Sequence, residues 1–272
     1  MLYLDWQLEP VLLGMIATAA VAYYLSVGPL RKRIAPGQPY PTGHAIVFGL
    51  GLLALFLNEG SPLHDLAERY LLSAHMLQHL TLTYAIAPII LAGTPKWLLK
   101  ASLANARMLP VTKVLLSPLM AFVVFTLVLS VYHLPAIYDL ALSNTSLHHA
   151  VHIVILFASL MVWWPIMSPL EELPRPAFIV RIAYLFLLPV AQLPIFAGIT
   201  FAPEPLYAAY ANMPVRAFGL SVLEDQQISG AIMKVAGLIA FGIPFIVTFL
   251  QWFMSEDKGQ SWRPQPRTHK PS

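Results

Sequence analysis

Residues 148–168, HHAVHIVILFASLMVWWPIMS, carry three histidines at the front and no aspartate, glutamate, lysine or arginine anywhere. A helix crosses the hydrocarbon layer of a bilayer with ~20 mostly apolar residues, so this stretch reads as a membrane span. Further stretches of the same kind fall at roughly 10–29, 43–58, 70–93, 114–133, 178–200 and 227–253. The second is short and needs tilt or local thinning of the bilayer. In the sixth, Pro189 and Pro194 free backbone carbonyls and predict a kink. The expected fold is an all-α integral membrane protein, a seven-transmembrane-helix bundle. Short loops make neighbouring helices antiparallel and pack them as one domain over residues 1–254, with a flexible cytoplasmic tail over 255–272.

Composition agrees. The chain has 272 residues, 58% of them hydrophobic and 11% charged, with a mean hydropathy of +0.68. A net charge of +3 invites a nucleic-acid reading, but the basic residues lie in short loops between apolar spans, where they set orientation instead. No nucleic-acid partner is expected; membrane lipid is. Arg31, Lys32 and Arg33, then Lys96, Lys100, Arg107 and Lys113, then Arg175 and Arg181, then Lys258, Arg263, Arg267 and Lys270 fall on one side, against Arg69 and Arg216 on the other. The excess predicts an N-terminus outside and a C-terminus in the cytoplasm. The start MLYLDWQLEP has no lysine or arginine, so the first span is expected to be retained rather than cleaved as a signal peptide. Trp97, Trp163, Trp164 and Trp252 then read as an aromatic belt at the inner interface, with Trp6 at the outer.

The chain has no cysteine, which removes disulfides and thiolate metal sites and leaves imidazole, thioether, carboxylate or backbone donors. Of nine histidines, His44 and His269 fall on the inner side. His64, His75, His79, His133, His148, His149 and His152 all fall outside or in the outer half of the bundle. Residues four apart on a helix differ by ~40° in rotation and ~6 Å in rise, so His75 and His79 share a face, as do His148 and His152. A single membrane histidine is ordinarily a hydrogen-bonding group between helices. Two such pairs on one side of the membrane point instead to a metal or cofactor. His149 lies ~100° from His148 and faces elsewhere; His64 and His133 read as a lid or as groups that orient the ligands.

Other polar groups gather at the same end. Glu224, Asp225, Gln226 and Gln227 begin the seventh span, where carboxylates suit a helix N-terminus. Lys234 lies two turns deeper and needs a partner. Met76 and Met233 are available thioethers, although methionine in apolar helices is ordinarily filler. Without thiolate, an imidazole-rich site suits copper, zinc or iron, with copper highest in affinity. Haem is the further alternative, through paired axial histidines. A zinc protease is disfavoured because His75-Met76-Leu77-Gln78-His79 lacks the glutamate of H-E-x-x-H.

The runs SAHMLQHLTLTYAIAPIILAGTP (73–95), YHLPAIYDLAL (132–142), LHHAVHIVILFASLMVWWPI (147–166) and LEDQQISGAIMKVAG (223–237) resemble the CtaG-type (caa3-type) cytochrome c oxidase assembly factors of bacteria. The resemblance implies a multi-pass protein of the bacterial plasma (inner) membrane that is not an enzyme and helps mature a haem-copper oxidase. It implies a role in furnishing copper to the catalytic subunit, with oxidase subunits and an extracytoplasmic copper donor as partners. The matching positions are His75, Gln78 and His79, His133 and Pro135, His148 and His152, and Asp225, Gln226 and Gln227. The expected metal ligands are His75, His79, His148 and His152, with His133, His149, Gln78, Asp225, Gln226 and Gln227 as supporting groups. Some members carry an acidic residue just before the second histidine of the fifth span; here it is Val151, which weakens any expectation of a carboxylate ligand from that helix. The rival readings are a haem- or metal-dependent membrane oxidoreductase, a copper permease and a purely structural scaffold.

Overall fold

In the computed structural model, which describes residues 4–213, 215 and 217–261, the chain is helical with no strand among the described residues. In order the helices are α1 (Pro10–Val27), α2 (Arg31–Ile34), α3 (Thr42–Gly60), α4 (Pro62–Arg69), α5 (Leu72–Thr81), a π-helical turn (Leu82–Ile86), α6 (Ala87–Ala92), α7 (Lys96–Leu103), α8 (Leu109–Leu115), α9 (Pro118–Tyr132), α10 (Pro135–Ser143), α11 (Thr145–Met167), α12 (Phe178–Ala191), α13 (Leu193–Phe201), α14 (Ala208–Ala211) and α15 (Val222–Ser261).

Among the described residues six segments are long and apolar enough to cross a membrane: Pro10–Val27, Thr42–Gly60, Leu72–Ala92, Thr145–Met167, Phe178–Phe201 and Val222–Ser255. A seventh is broken. Helices α8 and α9 together pass the same test but bend by 61°, so the single helix expected over 114–133 is not formed. The cause is local: Pro118 forces the preceding residue out of the helical region, and Ser117 sits at φ −66°, ψ 150°, its hydroxyl accepting from Met120 N–H at 3.4 Å. The sixth span breaks as its prolines predict, between α12 and α13 at Gln192. Helix α15 runs past the expected boundary at Ser255 to Ser261; the rest of the tail, with Arg263, Arg267, His269 and Lys270, lies outside the described residues, as does Arg216.

The third span contains a turn that its sequence explains. Ala87 N–H bonds the carbonyl of Leu82, five residues back. Continuing that pattern would pair Thr83 O with Pro88, which has no N–H. Inside a bilayer an unpaired carbonyl costs several kcal/mol. The indole of Trp163 fills the gap, donating to Thr83 O at 2.8 Å. Trp163 and Trp164 are both buried, which corrects the expected interfacial belt: these two rings hold helices together inside the bundle, while Trp97 and Trp252 are half-buried.

Packing runs α1 on α3, α3 on α6, α9 on α11 and α12, and α15 across α5, α12 and α13. Two glycines allow close crossings. A Cβ on Gly93 would fall 2.5 Å from the Phe48 nitrogen, and one on Gly230 would fall 2.0 Å from Thr200 Oγ1. Large apolar side chains such as Leu119, Phe157, Phe201 and Ile243 are exposed on the bundle's flank, as a surface meeting lipid tails requires.

Because the spans alternate in direction, the start of α1, the end of α3, the starts of α5, α11 and α15, and helices α4, α10 and α14 share one end, here the N-terminal end. The chain start is tied there: Gln7 N–H donates to Gly60 O and Asp5 N–H to the Asp65 carboxylate, each at 2.8 Å. Helices α2 and α7, with Arg31–Arg33, Lys96 and Lys100, occupy the opposite end.

Candidate metal centre

The two histidine pairs meet. On α5 the rings of His75 and His79 stack with centroids 4.5 Å apart, and on α11 those of His148 and His152 are 4.2 Å apart. Across the helices His75 lies 5.4 Å from His148 and 5.9 Å from His152, and His79 lies 4.6 Å from His152. All four residues are buried. Ligand atoms of His75, His148 and His152 lie within 4.8 Å of one another. Helical spacing alone gives each pair; the packing of the third and fifth spans makes them one cluster.

Three groups that the sequence does not single out, Glu59, Tyr132 and Glu68, lie against the imidazoles of His152, His75 and His148. Nδ1 of His152 lies 2.8 Å from Glu59 Oε2, a hydrogen bond between α11 and the end of α3. Nε2 of His75 lies 3.1 Å from the Tyr132 hydroxyl at the end of α9. Nε2 of His148 lies 2.9 Å from Glu68 Oε1 on α4, close but poorly aligned for a hydrogen bond. The carboxylates that Val151 withholds thus come from α3 and α4. Glu68 also reaches His64 at 3.3 Å, one turn earlier on its own helix, and ligand atoms of His64, Glu68 and His148 form a second group within 4.8 Å.

Among the described residues the rest of the cluster is bare, and His79 has no partner on either edge of its ring. Nδ1 of His75, both nitrogens of His79, Nδ1 of His148 and Nε2 of His152 are buried without a hydrogen-bond partner. Each such group costs ~1–3 kcal/mol where it lies, and their concentration in one place is unusual for a finished core. A cation that accepts imidazole lone pairs removes that cost, so the donor set fits a bound metal ion. A carboxylate or hydroxyl on one ring nitrogen with the other left free is the usual arrangement of metal-binding histidines.

The remaining expected site residues divide. Gln78 is buried beside the cluster; its amide donates to Asn58 O and lies 3.3 Å from His64 Nδ1. His133 is buried one residue beyond Tyr132, with Nδ1 2.7 Å from Leu129 O, and packs on the Tyr132 and Tyr138 rings rather than on the four histidines. His149 pairs with Glu9 at 3.1 Å at the edge of the cluster, its ring 6.2 Å from that of His148. Asp225 accepts from Leu72 N–H at 2.7 Å and Ser73 N–H at 3.1 Å, so a carboxylate of α15 caps the first turn of α5, three residues before His75. Glu224 caps its own helix reciprocally with Ser221. Gln226 accepts from Leu206 N–H at 2.7 Å and donates to Ile199 O at 3.1 Å, pinning the chain around α13.

Gln227 is not brought to the site. Asp225 and Gln226 take the buried face at the start of α15, and the next position turns outward and is exposed. Lys234 finds its partner in the Phe196 ring, 5.0 Å from Nζ. Met76 and Met233 are buried in the apolar core beside Leu82, Ile155 and Ile199. His44 is exposed at the opposite end.

Residues 21–255 match the sequence model of a family described as cytochrome c oxidase caa3 assembly factor (Caa3_CtaG). The chain belongs to that family. The match takes in all seven spans but α1 only from Val21, and it includes every histidine of the cluster together with Glu59, Glu68 and Tyr132. No curated protein and no solved structure gives a significant match. As a caa3 assembly factor the protein acts in the building of cytochrome c oxidase, which implies contact with oxidase subunits, and its helices are those of a multi-pass membrane protein.

Proposed function

We propose that this assembly factor binds copper at His75, His79, His148 and His152 and passes it to the catalytic subunit of the oxidase it helps to build. The observation that carries this reading is the set of buried, unpartnered imidazole nitrogens on α5 and α11, with ligand atoms of His75, His148 and His152 within 4.8 Å of one another and the His79 ring 4.6 Å from that of His152. A site without thiolate suits a carrier that must also release its ion, because protons compete for the same lone pairs. The four rings pack within 4.2–5.9 Å centroid spacing along their contacts, which leaves no slot for a porphyrin and favours a metal ion over haem.

On this reading the protein is a carrier and not an enzyme. The distribution of lysine and arginine orients the N-terminal end, and with it the cluster, toward the outer face of the bacterial plasma membrane. There it meets an extracytoplasmic copper donor on one side and the oxidase subunit on the other.

The test is metal analysis with an optical spectrum on full-length protein purified in mild detergent and reconstituted with copper. Copper near one equivalent per chain, held tightly and lost in the His75→Ala/His79→Ala variant, is the expected result. Tight copper binding that survives in that variant, or a Soret band in place of copper, overturns the proposal. Uptake of copper by sealed vesicles containing the protein would identify a permease instead.

A further inference from the structure

Glu68 stands between the buried cluster and the outside of the bundle. Its side chain is 31% exposed, and with Asp139 it lines an open recess of about 650 Å³ between α4, α10 and α14. On its inner side Oε1 approaches Nε2 of both His64 and His148. Those three residues are as compact as the inner group of His75, His148 and His152. His148, 1% exposed and with neither nitrogen in a hydrogen bond, belongs to both groups.

We propose that His64, Glu68 and His148 form a second, outer cation position through which the ion reaches the inner histidines, exchanging Glu68 and His64 for His75 and His152 while His148 stays bound. The inference rests on the copper reading above. One carboxylate and two imidazoles suit divalent copper or zinc, and the carboxylate offsets part of the charge that the ion brings into a buried place. Asp139 is committed to the backbone N–H groups of Ala208 and Ala209, at 3.1 and 3.0 Å, so it adds negative potential to the recess without serving as a ligand. Retaining one imidazole throughout means that the ion is never stripped of protein donors. Its oxidation state does not change in the step.

The experiment measures loading of full-length protein in detergent with divalent copper supplied as its glycine complex, followed by stopped-flow absorbance and by equilibrium titration. Glu68→Gln and His64→Ala should slow loading of the inner site by tenfold or more, and Glu68→Asp should recover part of the rate. In the His75→Ala/His79→Ala background a weaker copper site should persist and disappear on adding Glu68→Gln. Failure of the wild-type protein to bind copper overturns the underlying reading as well. A wild-type protein that binds copper, with Glu68→Gln and His64→Ala loading at its rate, overturns the outer position alone. So does an absence of residual binding in the inner-site variant when circular dichroism shows it folded.

Discussion

Glu59 and His152, ninety-three positions apart, are joined by a 2.8 Å hydrogen bond inside the bundle. The bond fixes which imidazole nitrogen carries the proton and turns the other, Nε2, toward the histidine cluster without a partner. Asn58 also donates to Glu59, at 2.9 Å, so the carboxylate is itself held in place. Loss of such a supporting carboxylate typically costs 10–100-fold in metal affinity. Glu59→Gln, which keeps the shape, should weaken copper binding by about that factor in a chelator competition titration. An affinity equal to wild type would remove Glu59 from the site.

Trp163 answers a vacancy that Pro88 creates. Trp163→Phe removes the donor to Thr83 O and should destabilise the detergent-solubilised protein by ~1–3 kcal/mol, the cost of an unpaired buried carbonyl. In a Pro88→Ala background the restored N–H can take that carbonyl, and the same substitution should cost measurably less. Equal losses of stability in the two backgrounds, read by chemical denaturation, would contradict the account.

The crossing of α13 and α15 depends on Gly230. An added Cβ meets Thr200 Oγ1 at 2.0 Å, with Phe196 O and Thr200 N each at 3.0 Å. Gly230→Ala should lower stability by ~1–3 kcal/mol through overpacking. Thr200→Ala in the same chain should recover part of the loss but not all, because the two backbone atoms remain.

At the opposite end Lys100 pairs with Glu172 between α7 and the segment before α12. The side-chain hydrogen bond with Glu172 raises Lys100, and the same bond with Lys100 lowers Glu172, each away from its ordinary value. A lowered carboxylate contributes above its unfolded pKa and loses that contribution as pH falls through the folded value. A raised lysine contributes below its unfolded pKa and loses it as pH rises through the folded one. The pair should therefore help across neutral pH and fail at both extremes. Lys100 is exposed and Glu172 partly so, and water and salt screen such a pair, so Glu172→Gln should shift Tm only slightly at pH 7, and not at all in 1 M salt.

Much of this arrangement is legible in the sequence. Runs of apolar residues give the seven spans, and i,i+4 spacing gives His75 with His79 and His148 with His152. The break at Ser117 is legible too, because Pro118 restricts its neighbour, although the apolar residues on both sides read as one span. Glu59 and Glu68 do not stand out in the sequence, because one ends a span and the other lies in what reads as a loop. The interval of four between His64 and Glu68 was the available signal. That Asp225 would cap another helix rather than its own needs tertiary contact, and so does the inward turn of Trp163 and Trp164. Gln227 faces away from the cluster for a simple reason: consecutive helical positions are ~100° apart, and the two before it already occupy the inward face.

Every imidazole and carboxylate proposed to touch the ion precedes Ile153 in the chain, yet the first turn of the helix bearing His75 and His79 hangs from Asp225, 153 positions beyond Leu72. The protein therefore cannot be divided into a metal-holding front half and a dispensable rear anchor. A fragment ending after α11 would contain all the donors and none of the capping carboxylate that aligns two of them, and the last span, α15, which contributes no ligand, is a structural precondition of the centre.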